Sequence, residues 1–118
     1  MGFDGIPQLY EKVSEIQKST ETFAGYSEEQ LQGVISFQID EGILAIHRLV
    51  VSPTYFRKGI GKRLVEYLLE HYKGYEFVVS TGTANKPAIA LYTAYGFQEQ
   101  RLIEVAPGIH CTQYSLSN

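Results

Sequence analysis

The chain has 118 residues, 44% of them hydrophobic, and no low-complexity stretch; this is enough for one core and predicts a single domain over residues 1–118. A formal net charge of −3 and a pI near 5.6 exclude the broad basic surface that nucleic acid or an anionic membrane selects, so any anion site must be local. A single cysteine, Cys111, rules out an internal disulfide, and the apolar runs are too short for a bilayer span or a cleavable signal, which points to the cytoplasm.

After a turn-like start through Pro7, Leu9, Val13 and Ile16 recur at i, i+4 and i+7, and this spacing predicts a helix over residues 8–19. Thr22 to Tyr26 and Leu31 to Ile39 predict a hairpin around the polar run Ser27 to Gln30. Asp40, Glu41 and Gly42 make the next turn. Ile43 to Val51 is a nearly continuous apolar run broken by His47 and Arg48, the pattern of a strand covered on both faces. Pro53 ends that strand. Ile60, Leu64, Val65, Leu68 and Leu69 then restore helical periodicity as far as about Tyr72, and Tyr75 to Ser80 predicts another buried strand. Residues 43–80 therefore form a strand, helix, strand unit, which is parallel and right-handed. A second helix begins near Asn85, with Pro87 in its first turn, and stops at Gly96. Phe97 to Val105 and His110 to Leu116 close the chain as an antiparallel pair around Pro107-Gly108.

Gly59 and Gly61 fall where a buried strand has ended and an amphipathic helix begins. Free backbone N–H groups and the positive end of the helix converge at such a place, which is a phosphate-binding geometry. Arg57, Lys58, Lys62 and Arg63 add four positive charges within seven residues of an otherwise acidic chain. A dinucleotide fingerprint would need a third glycine where Leu64 stands, and a nucleotide P-loop would need glycine at Phe56 and serine or threonine at Arg63. A plain glycine-containing turn that starts a helix remains open on this segment alone.

The run from Val50 to Gly61, VVSPTYFRKGIG, resembles the acyl-CoA motif of the GNAT superfamily of N-acetyltransferases, Q/RxxGxG/A, with Phe56 at its first position and the arginine displaced to Arg57. Downstream, Asn85 to Phe97, NKPAIALYTAYGF, resembles the same family's NxxAxxLYxxxGF segment at every named position. The resemblance covers roughly residues 20–106. It implies a GNAT-like α/β (α+β) fold, with a mixed central sheet of about six strands, helices on both faces and a shortened amino-terminal region.

The resemblance also implies acetyl-CoA as the acyl donor, with no metal. Its pyrophosphate would be held by the amides and cations of Arg57, Lys58, Gly59, Ile60, Gly61, Lys62 and Arg63, and the rest of the donor would be contacted by Asn85 and Tyr92. The strand edge at Leu49, Val50 and Val51 would hydrogen-bond the pantetheine arm, with a main-chain N–H near Val50 facing the thioester oxygen. The acceptor would be a primary amine of a small molecule or a protein, not a nucleic acid or a membrane, and a homodimer is compatible with the shortened start.

An alkyl amine of pKa about 10.4 is neutral only about once in 2,500 molecules at pH 7, so a base or water chain is expected. The glutamate that the family often places on the central strand aligns with Ala45 here. Strand alternation puts His47 on the same face as Ala45, Leu49 and Val51, which makes His47 the replacement candidate beside a purely structural place for it; His110 is a weaker one. Tyr92 resembles the family's general acid toward the departing thiolate. Three readings follow: an N-acetyltransferase, a non-catalytic acyl-CoA-binding module, or a structural α/β domain with a coincidental glycine loop.

Overall fold

The computed structural model describes residues 12–18, 20–55 and 58–118. Seven strands form one sheet in the order β1-β2-β3-β4-β5-β7-β6. They are β1 (Val13–Lys18), β2 (Glu21–Glu28), β3 (Gln30–Asp40), β4 (Ile43–Val51), β5 (Glu76–Gly82), β6 (Gln98–Ala106) and β7 (Ile109–Ser117). All neighbours are antiparallel except β4 and β5, which run parallel and are joined by helix α1 (Ile60–His71). Helix α2 (Lys86–Ala94) connects β5 to β6. The expected mixed sheet, hairpins and parallel unit are therefore present.

Two expectations are corrected. Half of the predicted helix over residues 8–19 is strand β1, Val13–Lys18, which accounts for seven strands where about six were expected; residues 8–11 and 19 lie outside the described residues. Val13 and Ile16 match helical spacing, but Val13 pairs with Tyr26 and turns inward, whereas Ile16 pairs with Phe23 and is 67% exposed. The hydrogen bonds offered by β2 outweigh a weak local periodicity.

Secondly, β4 is not covered on both faces. Leu44 and Ile46 are buried, but His47 and Arg48 are exposed, and so is Val50. Both described helices pack over one face of the sheet. That face carries Ala24, Tyr26, Ile35, Phe37, Leu44, Ile46, Phe77, Val79 and Tyr114, which form one cluster with Leu64, Val65 and Leu68 of α1 and Tyr92 of α2.

Two irregularities position the site. In the β3–β4 ladder Ser36 pairs with Arg48 and Phe37 with Ile46, so His47 is an extra, bulged residue. The bulge resets the alternation: Leu49 and Val51 pair with Ile35 and Gly33 and turn to the helix face, whereas His47 and Arg48 stay on the other. His47 thus shares a face with Ala45 but not, as plain alternation predicted, with Leu49 and Val51. The second irregularity is a gap. β4 and β5 are paired only from Ile43 opposite Glu76 to Ile46 opposite Val79, while β5 stays paired with β7 as far as Gly82. Beyond the bulge the two parallel strands part.

The first turn of α1 rests on Gly33. A Cβ built there would lie 2.7 Å from Ile60 Cγ2 and 3.2 Å from the Val50 carbonyl oxygen, so the closeness of helix and sheet requires this glycine. We expect Gly33→Ala to cost about 1–3 kcal/mol of stability by overpacking, measured by urea denaturation.

Candidate active site

The carboxyl end of β4 leads through a short 3₁₀ turn, Pro53–Tyr55, into the glycine loop. Gly59 is the N-cap of α1 at φ +78°, a left-handed conformation that an L side chain adopts only with strain, and no side chain caps the helix. The first intrahelical bond is Arg63 N–H to Gly59 O at 3.1 Å, which leaves the amides of Ile60, Gly61 and Lys62 without intrahelical partners. A Cβ on Gly61 would lie at ordinary contact distance from Leu49, 3.4 Å, and from Leu91, 3.6 Å, so β4, α1 and α2 meet around this position.

A hollow of about 550 Å³ opens at this helix start, lined by Val51, Tyr55, Gly59, Ile60, Gly61, Lys62, Pro87 and Leu91. Beside it along β4 and α2, a smaller hollow of about 230 Å³ fills the gap between the parted strands. Its walls include His47, Arg48 and Leu49 from β4, Ser80 and Thr81 from β5, and Asn85, Ala88 and Tyr92. Residues from both faces of the sheet line it, so the hollow reaches through the sheet at the bulge.

Ser52 N–H donates to Gln32 O at 2.9 Å, and alternation then turns the main-chain groups of Val50 toward β3 and those of Leu49 and Val51 toward the gap. The Val50 carbonyl beside Gly33 agrees with that assignment. The free strand edge is therefore offered by Leu49 and Val51, and Val50 contributes a side chain that is 59% exposed.

Tyr92 is 3% exposed. Its ring packs edge-on against Phe97 at 5.3 Å, and Phe97 in turn against Phe77 at 6.3 Å. Gly96, at φ +94°, makes the tight helix exit that brings Phe97 into this stack. Burial pushes the Tyr92 phenol up to about 12, and among the described residues its hydroxyl has no hydrogen-bond partner. It therefore stays protonated at any physiological pH and is free to donate. Asn85 caps α2, its Oδ1 accepting from Ala88 N–H at 3.3 Å, and its amide nitrogen remains for a ligand. His47 Nε2 lies 3.2 Å from Gln38 Oε1. With Nε2 as donor to that oxygen, Nδ1 carries the free lone pair.

Of the residues expected at the site, Leu49, Val51, Gly59, Ile60, Gly61, Lys62, Asn85, Tyr92 and His47 line one or other hollow. Arg63 does not: its guanidinium bonds the Tyr26 hydroxyl and lies over that ring, 5.4 Å from the centroid. Lys58 is exposed beside the loop, and Arg57 lies outside the described residues. His110 is exposed and lines neither hollow, although its carbonyl accepts from Thr83. Tyr55, Pro87 and Leu91, and Arg48 with Ser80 and Thr81, were missed by sequence reasoning. Only the bulge brings Arg48 to the gap, and no single-sequence signal marks it. Replacing Asn85 by alanine removes the cap and is expected to cost about 1 kcal/mol in a denaturation experiment, whatever ligand is bound.

Among the described residues no group of three or more His, Cys, Asp or Glu side chains is placed to hold a metal, and no helix is long and apolar enough to cross a membrane. The model of the acetyltransferase (GNAT) family matches residues 4–97. The UPF0157 protein YqkA of Bacillus subtilis (strain 168) is 45% identical over 118 residues, 98% of this chain and 34% of that protein, so the chain spans about a third of that relative's length. The ribosomal-protein-S18-alanine N-acetyltransferase of Escherichia coli superposes with a TM-score of 0.76 at 17% identity, covering 96% of this chain and 87% of that one. A Bacillus anthracis str. Ames protein described as a streptothricin acetyltransferase, solved with acetyl coenzyme A, gives 0.76 at 18% identity over 87% of this chain and 65% of its own. At such identities these two structures establish the fold alone. The family match over most of the chain carries the assignment further: this chain belongs to the GNAT family of acetyltransferases.

Proposed function

We propose that the chain transfers an acetyl group from acetyl-CoA to a primary amine, and the observation that carries this reading is the parting of β4 from β5 directly beneath Tyr92. The acetyltransferase family and the acetyl coenzyme A held by a structural neighbour support the choice of donor. The uncapped amides of Ile60, Gly61 and Lys62, open onto the larger hollow, suit a pyrophosphate. Lys62 and Lys58 add charge beside them. Arg63 is left out of this set because Tyr26 engages it, and Asn85 offers its free amide nitrogen to the donor.

The donor supplies a thioester, an acyl carbon already activated toward nitrogen. The Leu49 and Val51 edge hydrogen-bonds the extended arm as an added strand would, and a main-chain N–H at that edge faces the carbonyl oxygen. As the amine nitrogen bonds to the acyl carbon and the carbon–sulfur bond breaks, Tyr92 donates its proton to sulfur. The proton lost from nitrogen passes to His47 or to water beside it. Tyr92 then recovers its proton from solvent through the open hollow, and the raised pKa favours that recovery.

The test is Tyr92→Phe, assayed by amine-dependent thiol release. The expected outcome is a fall in kcat of about 10²-fold or more with the KM for acetyl-CoA little changed, since the hydroxyl acts on the departing group. An undiminished kcat overturns the assignment of the acid; binding of acetyl-CoA without turnover of any amine overturns the transfer. A pH profile provides a second test. The Tyr92 phenol titrates at about 12, so its ionisation should cause no loss of rate between about pH 7 and pH 10.

A further inference from the structure

Among the described residues, the hollow between β4 and β5 has one formally charged residue in its lining, Arg48, and no carboxylate. Among the described residues its guanidinium makes no hydrogen bond and no ion pair. The bulge at His47 places it there: Arg48 pairs with Ser36 on the face turned away from the helices, so it stands at the mouth opposite Tyr92. Ser36, its partner in the ladder, is 2% exposed, and its Oγ is buried without a hydrogen-bond partner. The acidic residues at the ends of these strands, Asp40 and Glu76, flank Ile43 and Phe77, about 17 Å along the strand from Arg48. Among the described residues no carboxylate lines the hollow beside this cation.

We infer that Arg48 selects the acceptor, taking a primary amine that carries a carboxylate close to the nitrogen and disfavouring polycationic amines. This rests on the acetyl-transfer reading above and names its substrate class. A free alkylammonium brings a second positive charge to Arg48, whereas an amino acid or the start of an acidic peptide brings a carboxylate that the planar guanidinium binds in fork geometry. The same cation favours the neutral form of a nearby amine. The α-amine at the start of a peptide, with a pKa of about 7.7–8.0, then needs little help from a base, consistent with alanine at the position of the family's glutamate. The transferred atoms are unchanged: nitrogen gains the acyl carbon and loses a proton, and sulfur gains one.

The experiment compares kcat/KM for β-alanine and n-propylamine, which share a carbon chain and differ by the carboxylate, with spermidine as a polycation. Two short peptides, with glutamate or lysine after the amino-terminal residue, distinguish a free amino acid from a peptide source. The protein with Arg48 should favour the carboxylate-bearing member of at least one pair by about tenfold or more. Arg48→Lys should keep part of that preference, Arg48→Gln should abolish it, and Arg48→Glu should reverse it toward n-propylamine and spermidine. Each ratio is taken within one variant, so changes in folding or in affinity for acetyl-CoA cancel. Turnover with ratios unchanged by Arg48→Gln and Arg48→Glu overturns the acceptor assignment alone. No turnover of any amine by the unsubstituted protein overturns the transfer reading and this inference with it.

Discussion

The separation of two parallel strands is the constraint on which the rest of the structure depends. Pairing between β4 and β5 stops after Ile46 and Val79, although both strands continue. Two causes act together: β5 stays bound to β7 as far as Gly82, and the bulged His47 bends β4 away. A sheet that opens in its middle exposes main-chain groups that normally pair, and it does so where the helix face contributes Tyr92 and the other face contributes His47 and Arg48. Both helices then start at the same end of the gap. Gly59 leaves the amides of α1 open, while Asn85 caps α2 and holds it against β5.

Tight packing keeps the gap in place. Gly33 admits Ile60 against β3, and Gly61 lies close to Leu49 and Leu91, so the first turn of α1 is seated against the sheet and α2. The loop between β4 and α1 is tied to the tip of the β2–β3 hairpin, where Gln30 Nε2 donates to the Tyr55 hydroxyl at 2.7 Å. On the other side, the stack from Tyr92 through Phe97 to Phe77 fixes the phenol from below. Its high pKa follows from the same burial, so one packing arrangement both places the hydroxyl and keeps it protonated.

Much of this was legible in the sequence, for identifiable reasons. The strand, helix, strand unit carries long, strongly periodic segments, and Asn85, Pro87 and Gly96 mark the ends of α2 through cap chemistry that acts locally. The glycine loop could be read because backbone geometry, not side-chain contact, defines it. What could not be read depends on partners distant in sequence. The β1 segment takes its conformation from β2, against a helical spacing of Val13 and Ile16. The bulge at His47 exists only in the ladder with β3, and it moves Leu49 and Val51 to the other face and brings Arg48 to the gap. Arg63 looked like part of a phosphate site from its position in the chain, yet Tyr26 on β2 engages it.

The central claim is that the gap and the helix start form one donor site, with the pyrophosphate at α1 and the sulfur beneath Tyr92. A crystal structure of the chain with coenzyme A tests this most directly. The account predicts phosphate oxygens within hydrogen-bond distance of the amides of Ile60, Gly61 and Lys62, the arm along Leu49 and Val51, and the thiol facing the Tyr92 hydroxyl. Coenzyme A bound elsewhere, or with its thiol turned out of the gap, would contradict it.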